Sequence, residues 1–162
     1  MTHAEQIADD IVKQTDPRLS AAVNRYGCRA MCLLAIPQYV AGRALSAEQV
    51  ADILARGRHV DNVIISDKVR TGAAEHWLIN EAFRLLGVDR RGRQVGWTDA
   101  HVDSVAWQYM ISHWATGGPD GHFTLMDRGQ NELYDPHDPA QAGYEIDKRQ
   151  IIRKLVYATW AT

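Results

Sequence analysis

The sequence predicts an α+β domain, with helices in its first half packed on an antiparallel sheet built from its second half. Three observations carry this reading. Apolar residues recur at helical spacing as far as Gly87. Beyond Gly92 the chain turns to short segments rich in aromatic and β-branched residues. Two of these segments are separated by "DRGQN", residues 127–131, which is turn chemistry. Helices that come first and strands that come later point to segregated layers rather than to alternating α/β units.

Each element follows from local pattern. Residues 3–15 set Ile7, Ile11 and Val12 on one side, a short amphipathic helix ahead of Pro17. From Cys28, the residues Met31, Cys32, Leu34, Ala35 and Ile36 predict a helix buried over most of its surface, bent or ended near Pro37. In "LSAEQVADILARG", Ser46 and Gln49 have capping-box spacing, Val50, Ile53 and Leu54 form the apolar stripe, and Gly57 reads as the stop. "AAEHWLINEAFRLLG" predicts a further helix, with Trp77, Leu78 and Leu85 inward and Gly87 at its end. "RQVGW", "VAWQYMISHW", "HFTLMD" and "NELYD" predict strands, the last two forming a hairpin about the 127–131 turn. "IDKRQIIRKLVYATW" fits a short helix running into a last strand, or a strand throughout, and its periodicity does not choose between them.

A chain of 162 residues predicts one domain over 1–162, large enough for a core without disulfide or metal staples. The formal net charge of -2 offers no global basic field, so nucleic acid is not an expected partner. Arg90, Arg91 and Arg93 in "DRRGRQ" read as a solvated turn. The N-terminal stretch lacks a basic start followed by an apolar run, so no secretory signal is expected. No apolar run approaches the roughly 20 residues of a membrane span, so a membrane is not an expected partner either. The expected setting is cytoplasmic and reducing, with thiols kept free.

The two cysteines, Cys28 and Cys32, carry most of the functional signal. Their C-x3-C spacing has no second pair and the histidines form no compact motif, so the expectation is no metal and no organic cofactor. It is not the C-x-x-C of redox proteins either. Cys32, inside "AMCLLAI", reads as buried apolar filler. Cys28 follows Gly27 and opens the apolar helix. There the macrodipole and the unpaired amides favour thiolate and can bind an oxyanion. A nucleophile of this kind needs a base and a group to orient the base. If the hairpin forms, His122 at the start of one strand and Asp135 at the end of the next become neighbours at one sheet edge.

On these segments, "YGCRAMCLLAI" and "DGHFTLMDRGQNELYDP", the chain resembles the papain-like cysteine peptidases, and most closely the compact bacterial branch that includes the double-glycine leader peptidases. The resemblance implies a papain-like domain whose central Cys-bearing helix packs on a C-terminal antiparallel sheet. It implies Cys28 as nucleophile, His122 as base and Asp135 as orienter, acting on a peptide or isopeptide bond of a peptide or protein substrate. The family's usual glutamine ahead of the cysteine is replaced by Ala22, and Asn24 is the nearest amide and the candidate for the oxyanion hole. Arg29 stands where the family often has a small residue. The alternatives are a papain-like binding module without turnover, or a peptidoglycan amidase or glutamine deamidase using the same three residues. Of the other histidines, His113 is expected on the sheet and near the same cleft, His137 in a solvated turn, and His59, His76 and His101 without a role. Trp107, Tyr109 and Trp114 are expected to divide between core and cleft.

Overall fold

The computed structural model describes residues 3–60, 63–65, 68–69, 74–97 and 106–162. Helices α1 (His3–Asp10), α2 (Ala21–Tyr26), α3 (Cys28–Ala41), α4 (Ala47–Val60) and α5 (Glu75–Leu86) occupy the first half, with a short antiparallel pair, β1 (Ile64–Ile65) and β2 (Lys68–Val69), between the last two. The second half supplies β3 (Arg90–Trp97), β4 (Tyr109–Thr116), β5 (His122–Met126), β6 (Glu132–Tyr134), a short helix α6 (Pro139–Ala142) and β7 (Lys148–Ala161). Strands β3 to β7 form one antiparallel sheet in the spatial order β3-β7-β4-β5-β6. The α+β architecture read from the sequence is therefore present. The start of the "VAWQ" segment and His101 lie outside the described residues.

Helix α3 lies at the centre of the core. Cys28 and every residue from Ala30 to Gln38 are buried, so this helix has no solvent face along most of its length. It packs on α5, through a core that includes Leu78, Ile79 and Phe83, and on β5 beneath Leu125. Pro37 neither bends this segment out of the helix nor ends it, and α3 continues to Gly42, whose φ of 70° closes it. A proline inside a helix costs about 3 kcal/mol. Fully burying one aliphatic side chain returns about 1.5–3 kcal/mol, and Leu33, Leu34 and Ile36 are all fully buried. The Gln38 side chain also donates to the Leu34 carbonyl at 2.9 Å and accepts from the Leu45 amide at 2.7 Å, which fixes the exit from the helix.

Local signals decide other boundaries. The capping box of α4 is formed: the Gln49 amide donates to Ser46 Oγ at 3.1 Å, and the Ser46 amide to Gln49 Oε1 at 3.0 Å. Gly57 does not stop this helix, which runs on to Val60. A Cβ on Gly57 would stand 2.5 Å from Val63 Cγ2 and 3.0 Å from the Trp77 ring, so the glycine serves close packing rather than termination. Gly87, at φ 68°, does end α5. The buried stripe of α5 is Leu78, Ile79, Ala82, Phe83 and Leu86, while Trp77 and Leu85 are only half-buried.

Helix α1 ends at Asp10, short of residue 15, because the chain beyond it is drawn toward β6. The Gln14 amide donates to the Pro136 carbonyl at 2.9 Å, and Tyr134 Oη donates to the Val12 carbonyl at 2.7 Å. The "DRRGRQ" segment is not a turn. Strand β3 begins at Arg90 and pairs with β7 from Arg90↔Ala161 onward. The last segment is strand throughout its length, and β7 lies between β3 and β4. Trp107 and Trp114 pack with Met110, Met126 and Val156 in a small second cluster, separate from the main core that receives Tyr109.

The Gly57 contact gives a test. Gly57→Ala should lower stability by about 1–3 kcal/mol, the usual cost of overpacking, even though alanine favours helix. Urea unfolding of the variant measures the loss, and an equally or more stable variant would refute the packing role.

Candidate active site

Cys28 is placed by the junction of two helices. The Ser20 hydroxyl caps α2 by accepting from the Val23 amide, and α2 ends at Gly27, whose amide donates to the Val23 carbonyl at 2.9 Å. A Cβ on Gly27 would meet the Val23 carbonyl oxygen at 2.6 Å, so only glycine lets α3 begin this close behind α2. Cys28 thereby becomes the first residue of α3. It is only 9% exposed, and Cys32, one turn on, is wholly buried with its thiol donating to the Phe123 carbonyl at 3.6 Å. Both cysteines are free thiols.

The predicted hairpin is formed, with the Asp127 amide donating to the Asn131 carbonyl at 3.0 Å across the turn. His122 opens β5 and Asp135 follows β6. His122 Nε2 lies 2.7 Å from Asp135 Oδ1. His122 is 3% exposed, and its Nδ1 makes no hydrogen bond among the described residues. Gly121 before it packs against His113. A Cβ there would stand 2.3 Å from His113 Nε2, which explains glycine ahead of the histidine. His113 in turn stacks on Phe123 with ring centroids 4.3 Å apart.

Cys28 and His122 line one cavity of about 360 Å³, together with Gln14, His137 and the loops 116–121 and 144–147. A second pocket of about 280 Å³ also reaches Cys28, between Tyr26, Val69, His113 and Phe123. The three residues singled out in the sequence, Cys28, His122 and Asp135, are thus gathered at one place. No hydrogen bond joins Cys28 to His122 among the described residues. Trp107 and Trp114 line neither pocket.

The electrostatics of Cys28 differ from expectation. Burial pushes its thiol up to about 11, against the opposing pull of the backbone amides of Phe123, Arg29 and Cys28 itself. Desolvation therefore outweighs the helix start here and favours the neutral thiol. Asp135 is shifted the other way. Burial alone would raise its carboxyl, but the hydrogen bond and charge of His122, the His137 amide and Lys148 hold it well below the usual carboxylate range.

Asn24 is committed elsewhere. Its Nδ2 donates to the Gln14 carbonyl at 2.7 Å and to the Asp16 carbonyl at 2.9 Å, so both amide hydrogens hold the 14–16 segment. The amide that lines the cavity is that of Gln14, which is 5% exposed. Its Nε2 donates to the Asn24 carbonyl at 3.1 Å, and its buried Oε1 has no hydrogen-bond partner among the described residues. Ala22 lies on α2, half-buried. His137 is also not the solvated residue expected. It is 7% exposed, its Nε2 lies 2.8 Å from the Tyr144 carbonyl, and its ring meets that of His122 edge-on at 6.1 Å. Arg29 pairs with buried Glu75, which also accepts from Tyr157 Oη at 2.8 Å, so this residue ties α3 to α5 and β7. His59 and His76 are exposed.

No group of His, Cys, Asp or Glu able to hold a metal occurs among the described residues, and no helix among them is long and apolar enough to cross a membrane. Compared with known proteins, the chain matches no family model, no curated protein and no solved structure.

Two tests follow from this geometry. An alkylating reagent should label Cys28 and spare Cys32, so Cys28→Ala should abolish labelling and Cys32→Ala should leave it. Labelling that follows Cys32 would contradict the burial difference. Asp135 ionises more easily folded than unfolded, so it stabilises the fold above about pH 4, the unfolded carboxylate value, and that contribution is lost as pH falls toward the lower folded value. Asp135→Asn should therefore be less stable than the native chain at pH 7, and the gap should narrow at pH 3. Urea unfolding at the two pH values measures it.

Proposed function

We propose that this protein is a thiol hydrolase of papain-like fold that cleaves a peptide or isopeptide bond. The observation that carries the reading is the shared cavity: Cys28 and His122 line it together, and Asp135 holds Nε2 of the imidazole while Nδ1 has no partner among the described residues. Nδ1 takes the Cys28 proton and the sulfur attacks the carbonyl carbon. The tetrahedral oxyanion collapses, the C–N bond breaks, and the imidazolium gives its proton to the leaving amine. Water, deprotonated by the same imidazole, then attacks the thioester, releases the acid and returns the thiol. Hydrogen bonds between nucleophile and base often close only when substrate binds, which accommodates the resting thiol.

Gln14, rather than Asn24, supplies the side-chain donor for the oxyanion, beside the backbone amide of Cys28 at the start of α3. Its position in the cavity wall supports this role, and only one of its two Nε2 hydrogens is spent, on the Asn24 carbonyl. A second reading is favoured by the burial of Cys28, which works against the thiolate: a domain of the same fold that binds a peptide without cleaving it.

Release of p-nitrophenol from p-nitrophenyl acetate tests acyl transfer without knowledge of the natural substrate. Cys28→Ala and His122→Ala should abolish it, Gln14→Ala should slow it by about 10²–10³-fold, the usual cost of one oxyanion donor, and Asn24→Ala should slow it less. The pH dependence of Cys28 alkylation separates the two readings. Reaction that persists below the free-thiol value of about 8.5, and whose onset climbs in His122→Ala, supports the hydrolase. A native chain that alkylates only near about 11 supports the binding module.

A further inference from the structure

The orienting carboxylate is held by more than its histidine. Asp135 Oδ1 accepts from the His137 amide at 2.9 Å as well as facing His122. Oδ2 accepts from Lys148 Nζ at 2.9 Å. The same ammonium lies 3.1 Å from Glu132 Oε1 and 5.6 Å from the centre of the Trp114 ring, so β6 and β4 both help to fix it. Lys148 opens β7, opposite Thr116. Nothing in the proposed chemistry uses it. Burial would lower the Lys148 ammonium, but Asp135 and Glu132 reverse that and keep it charged.

We propose that Lys148 is a positioning residue of this site: its ammonium anchors the outer oxygen of Asp135 and limits how strongly that carboxylate retains a proton on His122. The inference rests on reading Cys28, His122 and Asp135 as the reacting set. A bare carboxylate against an enclosed imidazole would favour a lasting imidazolium, which cannot serve as base. A cation on the far oxygen withdraws part of that charge. Other ionisable groups surround His122. Cys28 comes from α3, His137 from the segment after β6, and Lys13, from the segment after α1, donates to the Asp135 carbonyl at 2.8 Å. Arg25, Asp120, Glu145 and Asp147 also line the cavity. Lys148 is the cation that meets the Asp135 carboxylate itself.

The test is the titration of the His122 imidazole by NMR, assigned with His122→Asn, in the native chain and in Lys148→Met. The His137 amide remains to hold Oδ1, so the variant removes charge while the His122 contact stays. The midpoint should rise by roughly half to one pH unit, Lys148→Gln should repeat the rise, and Lys148→Arg should restore the native value. The pH profile of p-nitrophenyl acetate turnover should move in the same direction. Unchanged midpoints in Lys148→Met and Lys148→Gln would overturn the inference, even if turnover fell. The triad reading fails by a different result, a Cys28 alkylation profile indifferent to His122→Ala, and that result would leave the imidazole titration standing.

Discussion

The structure depends on a helix that cannot face water. From Ala30 to Gln38, α3 is buried on every side, so the remaining elements are arranged as its covering: α5 on one flank, β5 and the sheet on another. That covering fixes the direction of α3 and therefore the place of its first residue. Burial extends to Cys28 itself, and the result is a balance of two familiar effects of opposite sign. Amides at a helix start favour sulfur as an anion, while exclusion of water favours the neutral thiol. Here desolvation is the larger, so under the proposed hydrolase reading the charge for nucleophilic attack would come from a neighbour, not from the helix alone.

That neighbour is organised around Asp135. Lys13 holds its carbonyl, His137 and His122 share one carboxylate oxygen, and Lys148 takes the other. Burying a carboxylate is costly unless its lone pairs are satisfied, and this one is satisfied by His122, His137 and Lys148, while the first half of the chain reaches the backbone carbonyl through Lys13. The bonds of Val12 and Gln14 to Tyr134 and Pro136 bring the N-terminal segment to the same corner. The wall that carries Gln14 and the hairpin that carries His122 are thus one connected unit.

What could be read from the sequence was whatever rests on near neighbours in the chain. Ser46 and Gln49 announce their capping box because both partners lie in one turn, and the 127–131 turn announces its hairpin for the same reason. Juxtaposing His122 and Asp135 required only that hairpin. Gln14 was hidden because its place is set by a backbone bond to Pro136, far along the chain. Asn24 looked suitable by spacing, yet its hydrogens are spent on the carbonyls of that same segment. His137 resembled a solvated turn residue because "DPHDP" is polar, and its burial comes from the chain folding back as far as Tyr144. Gly57 and Pro37 carry strong local breaking signals, and tertiary packing overrides both.

Strand β7 pairs with β3 on one side and β4 on the other. It is also the last of the described strands to be synthesised. Until it emerges, β3 has no neighbour in the sheet, β4 lacks one of its two, and Lys148 is not there to meet Asp135. Such long-range closure is slow and leaves strand edges open meanwhile. On a translating ribosome the segment that carries Cys28 therefore emerges well ahead of the strand that completes the sheet, so the domain closes only with the last residues to leave the ribosome.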